Sequence, residues 1–386
     1  MTTDNPDTVP MDIEVVRPKQ RLEVQFTGSG SEYFRIWIVN LMLTLVTFGI
    51  YYPWAKARKL RYFWENTLVD GDPLGFHGTG EQFFRGNMIA GLMLSVYSFA
   101  ARLSPTGALV ALLVLAAVWP VLLRASMCFR MRNTSWRGVR LAFKGTVPGA
   151  YRGVLPLWIP VIAMGVLGAS MPTTPGATPS AWALLPVAVA VLALPAAFYG
   201  FKRYQHGGFC LADERSQLTA TMGSFFSLGF KLIGVGLLAG GALVLVMVFL
   251  GLGLSMRGQA SEAVASAGGL LAIPALLFVN ALVFSFFQSR LQNLVWGNTK
   301  SAHFQFHSNL KLVPLALVRM KNWLLIGLTV GLYWPFAAVS LYRIRVESVA
   351  AKSTIDLSQL LDLSTERFDN ATGDSAGEFF GLDLGL

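Results

Sequence analysis

Eight apolar stretches, most of nearly twenty residues, dominate the chain, and none of them contains an Asp, Glu, Lys or Arg. A helix crosses the hydrocarbon core of a bilayer with about 20 apolar residues, whereas helices of soluble proteins usually keep a polar face. The stretches cover approximately residues 36–54, 87–101, 106–123, 154–171, 182–201, 232–254, 270–287 and 323–342. This pattern predicts an all-α polytopic membrane protein with six to eight transmembrane helices arranged in pseudo-repeated hairpins.

Composition supports the membrane class. Of the 386 residues, 54% are hydrophobic and 13% are charged, against about 25% charged in ordinary globular domains. All but two of the 31 Lys and Arg lie outside the short connections 102–105, 172–181 and 255–268. The positive-inside rule therefore predicts that the basic segments face the cytoplasm, where they meet anionic lipid headgroups rather than nucleic acid.

One motif recurs along the chain. The sequence NTLVDGDPLGFHGT from Asn66 matches NTSWRGVRLAFKGT from Asn133 without a gap, a shorter copy starts at Asn298, and a degenerate copy lies near 201–226. A constant spacing also relates Asn40 and its neighbours to Asn322 and its neighbours. Self-similarity of this kind predicts an architecture built from repeated units.

Each copy of the motif has the features of a β-hairpin. Asp70-Gly71-Asp72 and Arg137-Gly138 are turn signals, and the residues that flank them alternate between apolar and polar. The hairpins are expected to lead into the next apolar helix and to form a small cytoplasmic layer. Arg35, Arg85 and Arg152 then mark the level at which the helices leave the headgroups.

Two topologies fit this repeat. Equivalent motifs must face one side, so the first and last apolar stretches are expected to be re-entrant or interfacial hairpins, with Gly49 and Gly331 near the bend. Six stretches then span the membrane, and both termini are cytoplasmic. The alternative has eight full spans and places both termini outside.

Three regions are expected along the chain: a disordered N-terminus at 1–20 without a signal peptide, a repeated multi-pass membrane domain at 21–350, and an acidic tail at 351–386. The tail is either mobile or docks on the basic layer or a partner through its terminal Phe and Leu residues. The two cysteines, Cys128 and Cys210, do not indicate a disulfide framework.

The stretch EYFRIWIVNLMLTLVTFGIYYPWAKARKLRYFWENT, residues 32–67, resembles the opening signature of the YjgN-like family of bacterial inner-membrane proteins, a domain-of-unknown-function family. Residues 327–345 resemble its closing signature. The chain departs from the family pattern in the degenerate motif copy near 201–226, which lacks the Asn-Thr pair, and at residues 336–338, which differ from the first copy. The resemblance implies a multi-pass protein of the bacterial inner membrane and supplies no activity. Family members are often encoded near a zinc metallopeptidase, which suggests such an enzyme as a partner.

Asn40 and Asn322 are the best pair of polar candidates inside the apolar stretches. A hydrogen bond between helices is the favoured interpretation, and a ligand site is the alternative. Asn66, Asn133 and Asn298 would line a cytoplasmic opening in a binding role, but local hydrogen bonds at the strand entry are favoured.

The remaining candidate side chains give weaker indications of a functional site. Basic and aromatic residues around Arg61 resemble a headgroup belt, as do Arg85 and Arg152. His303 and His307 have metal-ligand spacing on a helix, but the intervening sequence alternates as in a strand. No enzyme motif appears, so neither catalysis nor a cofactor or metal is expected. Two hypotheses follow: a permease-like transporter of a small or lipidic substrate, and a non-transporting scaffold or regulator that binds headgroups or a protein.

Overall fold

The structure is a computed structural model, and it describes residues 20–171, 178, 180–212, 214–255 and 261–354. The expected disordered N-terminus up to residue 19, and the tail from residue 355, lie outside the described residues. The described part of the chain forms eleven α-helices: α1 (Gly30–Val46), α2 (Tyr52–Glu65), α3 (Gly80–Leu103), α4 (Pro105–Arg132), α5 (Val147–Val154), α6 (Trp158–Ser170), α7 (Leu184–His206), α8 (Met222–Ser255), α9 (Ser261–Gly297), α10 (Leu312–Leu328) and α11 (Trp334–Val346).

The same residues form eleven short strands: β1 (Gln20–Phe26), β2 (Thr67–Val69), β3 (Asp72–Phe76), β4 (Thr134–Trp136), β5 (Val139–Phe143), β6 (Phe209–Leu211), β7 (Glu214–Arg215), β8 (Gln217–Leu218), β9 (Thr299–Lys300), β10 (Phe304–Ser308) and β11 (Val349–Ser353). The last residues of β11 belong to the segment that the sequence assigned to the tail.

An order of strand, helix, helix and strand occurs five times within the described residues. The five units are β1-α1-α2-β2, β3-α3-α4-β4, β5-α5-α6-α7-β6, β8-α8-α9-β9 and β10-α10-α11-β11. In the third unit, the first helix is divided into α5 and α6 by a 3₁₀ turn at Leu155–Leu157, as expected where Pro156 removes a backbone donor.

The strands join in a single sheet, which the sequence did not predict. Their order is β7-β6-β5-β4-β3-β2-β1-β11-β10-β9-β8. Only Ser216 separates β7 from β8 along the chain, so the sheet returns almost to its starting strand. The sequence predicted a mainly helical protein whose short hairpins form a small layer, and the structure adds that the hairpins pair edge to edge in one nearly closed sheet. Each isolated hairpin would expose unpaired edge groups, and pairing with the next hairpin satisfies them.

The hairpin turns match the sequence prediction. Asp70 and Gly71 have φ values of 54° and 83°, and Arg137 and Gly138 have φ values of 49° and 81°. Two consecutive residues with positive φ define the type I′ turn that suits a two-residue hairpin. The Arg137 side chain also donates a 3.1 Å hydrogen bond to Asp70 and one to Asp72, which ties the second turn to the first.

Apolar side chains fill the inside of the sheet. Leu22, Trp136, Phe304 and Ala351 form one buried cluster. Partly buried side chains of β2, β3, β6 and β10, and Ala212 directly after β6, pack against this cluster: Val69, Leu74, Leu211, Ala212 and Phe306. Burial of this apolar surface stabilises the ring of strands and leaves its centre occupied by side chains.

The junction between strand and helix is built alike in the five units. The residue seven positions after the strand end is at most 3% exposed in each: Tyr33, Phe83, Ala150, Phe225 and Leu315. In two units the first helix also begins with a full capping box, at Ser29 and at Thr79. These caps satisfy backbone donors that would otherwise be unpaired at the helix start.

The two terminal helix pairs are short. The stretches 36–54 and 323–342 are not single helices: each turns back at a residue pair with positive φ, Phe48-Gly49 and Val330-Gly331. The bends therefore lie where the sequence predicted them. Helices α1 and α2 have 17 and 14 residues, which correspond to about 25 Å and 21 Å and fall short of a hydrocarbon core of about 30 Å.

The inner helix pairs are long and apolar. Five helices of the described chain are long and apolar enough to cross a membrane: Thr106–Arg132, Val147–Gly168, Ala181–His206, Met222–Phe249 and Pro274–Gly297. Helix α3 packs against the first of them and has 24 residues, or about 36 Å. Most of these apolar side chains are exposed in the isolated chain, as expected for a polytopic membrane protein.

Candidate functional site

Asn40 and Asn322 connect the two helices of their own terminal pairs. Asn322 is fully buried, and its Nδ2 donates to Ser340 Oγ at 2.8 Å and to the Ala337 carbonyl at 3.4 Å, both on α11. Asn40 accepts a 3.4 Å hydrogen bond from Arg58 on α2. These contacts match the interpretation that each Asn forms a hydrogen bond between helices.

The three Asn-Thr pairs have local partners. The Nδ2 groups of Asn66, Asn133 and Asn298 donate to the carbonyl four residues earlier, at 2.7 to 2.9 Å. The following threonine hydroxyls do the same, Thr67 and Thr299 at 2.7 Å. The pairs therefore close the last helical turn before the strand, as favoured from the sequence.

The candidate arginines lie on the outside. Arg85 and Arg152 are exposed, and each lies nine residues after the phenylalanine that ends the preceding strand, as does Arg35. Arg61 is exposed on α2. The structure thus places Arg35, Arg85 and Arg152 at equivalent positions around the ring and does not bring them together in one pocket.

The histidines act as links between structural elements. His77 contacts Ser135 Oγ at 2.8 Å, buried His206 contacts Thr299 Oγ1 at 3.1 Å, and His303 contacts Glu214 Oε1 at 2.6 Å. The helical spacing that suggested a metal site is not realised, because His307 lies in β10. Within the described residues, no group of three or more His, Cys, Asp or Glu could hold a metal ion, and neither Cys128 nor Cys210 forms a disulfide.

Three basic side chains converge where the helices meet the sheet, and we call them the inner basic cluster: Lys202 of α7, Arg319 of α10 and Arg345 of α11. The Lys202 ammonium is close enough to the Arg345 guanidinium for their like charges to repel, and Arg345 acts in the same way on Arg319. Helices α7 and α11 belong to units that are not consecutive, so the cluster lies where the ends of several helices approach one another.

Neutral groups hold the cluster in place. Lys202 Nζ donates to Gln205 Oε1 at 2.8 Å, and Arg345 Nε donates to Gln292 Oε1 at 3.3 Å. Arg319 donates to Ser285 Oγ at 2.7 Å and to Gln288 Oε1. All of these acceptors are amide or hydroxyl oxygens, so the contacts orient the cations without cancelling their charge.

The three cations differ in how far they are exposed to solvent. Arg319 is 4% exposed, whereas Lys202 is half-buried and Arg345 is exposed. Desolvation nonetheless lowers the pKa of Arg345, and burial together with the charge of Arg345 lowers the pKa of Arg319 to about 10. Arg345 is therefore partly desolvated although it is an exposed residue. Both arginines stay charged at neutral pH.

A second basic group lies between α2 and α4. Lys56 of α2 is buried against the Phe83 ring, with Arg130 of α4 and Lys59 close enough to repel it. Neither group is recognisable from the sequence, because basic residues next to apolar helices look like ordinary positive-inside flanks. One signal was available: Arg130 and Arg345 each lie four residues before the strand that follows their helix.

Two clefts are lined partly by residues of the sheet. One, of about 530 Å³, is lined by Arg21, His307, Asn309, Glu347, Ser348, Ala350 and Lys352. The other, of about 380 Å³, is lined by residues around the two hairpin turns, including Asp72 and Arg137. Neither cleft includes Asn40 or Asn322.

Comparison with known proteins bears on the identity of the chain. A family model described as "Bacterial protein of unknown function (DUF898)" matches residues 21–379. The chain belongs to this family. It is also 29% identical to the inner membrane protein YjgN of Salmonella typhimurium, over 37% of this chain and 36% of that protein. Its identity to the inner membrane protein YjgN of Escherichia coli K12 is 34%, over 32% and 31% of the two chains.

These similarities confirm the resemblance to the YjgN-like family that residues 32–67 suggested. The chain spans about a third of the length of the relatives it matches. No solved structure matches the chain. The names of the relatives and the apolar helices together support an inner-membrane location.

Proposed function

We propose that the protein is a permease-like transporter of a lipidic or small substrate, with its sheet at the cytoplasmic face of the inner membrane. In this arrangement the inner helix pairs span the bilayer, and the terminal pairs α1/α2 and α10/α11 are re-entrant. Transport through repeated helix pairs is a common design of membrane carriers.

The observation that carries the proposal is the way the long helices pack. Helix α6 packs against α7, and α8 against α9, within their own pairs. Contacts between different pairs include the hydrogen bond that Tyr151 donates to the Ala117 carbonyl and the close approach of Gly229 to Pro195. Farther from the sheet, apolar side chains such as Leu113 and Leu237 are exposed. The sides of the long pairs are therefore open to lipid acyl chains.

The sheet supports a lipid route over a continuous aqueous channel. Its centre is occupied by the cluster around Leu22 and Trp136, which blocks a straight passage along the axis of the ring. A lipidic substrate that enters from the side, between helix pairs, does not need such a passage.

Reconstituted vesicles test this function. Lipids with a fluorescent headgroup are placed in both leaflets, and a membrane-impermeant reductant is added outside. Vesicles with the protein should lose more than the half of the signal that protein-free vesicles lose. A loss equal to that of protein-free vesicles, together with no flux in a screen of small solutes, would exclude transport under these conditions.

The outer arginines favour a second function. Arg35, Arg85 and Arg152 recur at one level around the ring, where guanidinium groups are suited to anionic headgroups. A non-transporting scaffold that binds headgroups, or a partner such as a membrane metallopeptidase, would use this belt. Neutralising the three arginines together should then abolish partner capture and lipid selectivity while leaving the fold intact.

A further inference from the structure

We infer that Lys202 and Arg345 form a binding site for a phosphate-type anion, supplied either by a lipid headgroup or by free phosphate. The inference rests on the proposed function only in that the same site would receive the head of a transported lipid. Binding itself does not require transport.

Charge is the first argument. Lys202, Arg319 and Arg345 bring three positive charges together, and their hydrogen bonds to the described residues all go to neutral oxygens. Holding like charges near one another is unfavourable unless an anion joins them. A phosphate group with two negative charges, or a phosphodiester with one, would offset much of this repulsion.

Several of the described carboxylates are engaged elsewhere. Glu32 bonds to Tyr62 and Ser29 at the start of α1, and Glu214 bonds to His303. Asp70 and Asp72 bind Arg137 at the hairpin turns. Glu347 accepts from the Phe26 backbone. Within the described residues, none of these groups acts on the pKa of Arg319 or Arg345.

Geometry is the second argument. Arg345 is an exposed residue, and one of its donors, Nε, donates to Gln292 of α9. A guanidinium fork suits two phosphate oxygens, whereas a lysine ammonium acts as a point charge beside them. Lys202 is itself oriented by Gln205 and lies 5.3 Å from the Phe201 ring centroid. Buried Arg319 adds a third positive charge, and its hydrogen bonds to Ser285 and Gln288 join α10 to α9.

Location is the third argument. Lys202 lies just before the last turn of α7 and Arg345 in the last turn of α11, near the strands that follow these helices. In the proposed topology this is the level of the cytoplasmic headgroups. A lipid held by its acyl chains between helix pairs would place its phosphate at this height.

Binding to the full-length protein in neutral detergent tests the site. After delipidation, the melting temperature is titrated with inorganic phosphate in one arm and with short-chain phosphatidylglycerol in another. Short-chain phosphatidylcholine serves as the comparison lipid without net charge. The double variant K202Q/R345Q should weaken binding in the responding arm by about tenfold or more.

A matched control keeps the charge change constant. K300Q/K352Q removes two exposed cations from the outer face of the sheet and should bind like the wild type. R345K keeps the charge but removes the fork, so it should fold normally and bind with intermediate affinity. This variant separates loss of the site from loss of the fold.

The results of these titrations identify the source of the anion or refute the site. A response to phosphatidylglycerol alone identifies the lipid as the source, and a response to both identifies the phosphate group itself. The site is refuted if neither ligand shifts the melting temperature, or if K202Q/R345Q responds like the wild type. Intact binding without flux of either lipids or small solutes in vesicles would keep the site and reject the transport proposal, so the two failures can be distinguished.

Discussion

Replacing Gly78 by Ala should destabilise the protein through one defined contact. A Cβ on Gly78 would lie 2.7 Å from two atoms of the Phe76 ring, about 1 Å closer than van der Waals contact allows. The ring cannot move aside freely, because it is 3% exposed and packs with Ala57, Phe83 and Phe129. Overpacking of this kind costs about 1–3 kcal/mol.

The fourth unit supplies the compensating change. At the equivalent positions it has Leu218 and Ala220, a smaller strand-end residue followed by a residue with a Cβ. Phe76→Leu alone should cost about 1 kcal/mol or more through lost packing. The double variant F76L/G78A should cost less than the sum of the single variants, by about 1 kcal/mol or more.

Equilibrium unfolding in mixed micelles measures this coupling. The four proteins of the cycle are titrated with sodium dodecyl sulfate, and unfolding is followed by tryptophan fluorescence. Ala220→Gly serves as a control and should cost only about 0.5–1 kcal/mol, since it removes a methyl group without creating a clash. Full additivity of F76L and G78A would refute the argument that the Phe76 ring requires a glycine at position 78.

Three further outcomes are expected. Arg137→Gln should lower the free energy of unfolding by about 1 kcal/mol, and less at high salt, because it breaks the ion pairs that join two hairpin turns. Cysteines at Gln217 and Lys300, which are Cα partners in antiparallel strands, should be joined by a short bifunctional thiol reagent, and failure to join them would contradict closure of the sheet. Burial, with Arg130 and Lys59 nearby, lowers the pKa of Lys56 from 10.5 to about 8, so the unfolded state binds more protons between these values. Denaturation series should therefore show stability rising from pH 8 to pH 10.5, and Lys56→Met should remove that rise.

Local features were readable from the sequence where one residue type dictates the backbone. Gly71, Gly138, Gly49 and Gly331 all have positive φ, a conformation that glycine adopts at little cost. The turns and bends followed from this. The Asn-Thr pairs were also interpreted correctly, since their hydrogen bonds reach only one helical turn back.

The nearly closed sheet could not be predicted from the sequence in the same way. Its closure depends on very short strands whose partners lie far apart in the chain, as with Leu218 and Thr299. One strand pair joins β1 to β11, and so brings together the two ends of the membrane domain. Strands of two or three residues carry too little alternation to be recognised, and pairing over such distances leaves no local signal.

The inner basic cluster could not be predicted from the sequence for a different reason. Lys202 and Arg345 follow apolar helices, where positive charge is expected at any cytoplasmic boundary. Only the structure shows that α7 and α11 bring them within reach of each other. The outer arginines follow the same sequence rule, and yet they point to separate positions around the ring.

Sidedness of the sheet is the most direct test of the account. In cells whose protein lacks its native cysteines, single cysteines are placed at exposed Lys300 on the sheet and exposed Ser180 at the far end of a long helix pair. A charged maleimide that does not cross the inner membrane should label position 180 in intact cells, and position 300 only after the inner membrane is permeabilised. Labelling of position 300 in intact cells would contradict a cytoplasmic sheet.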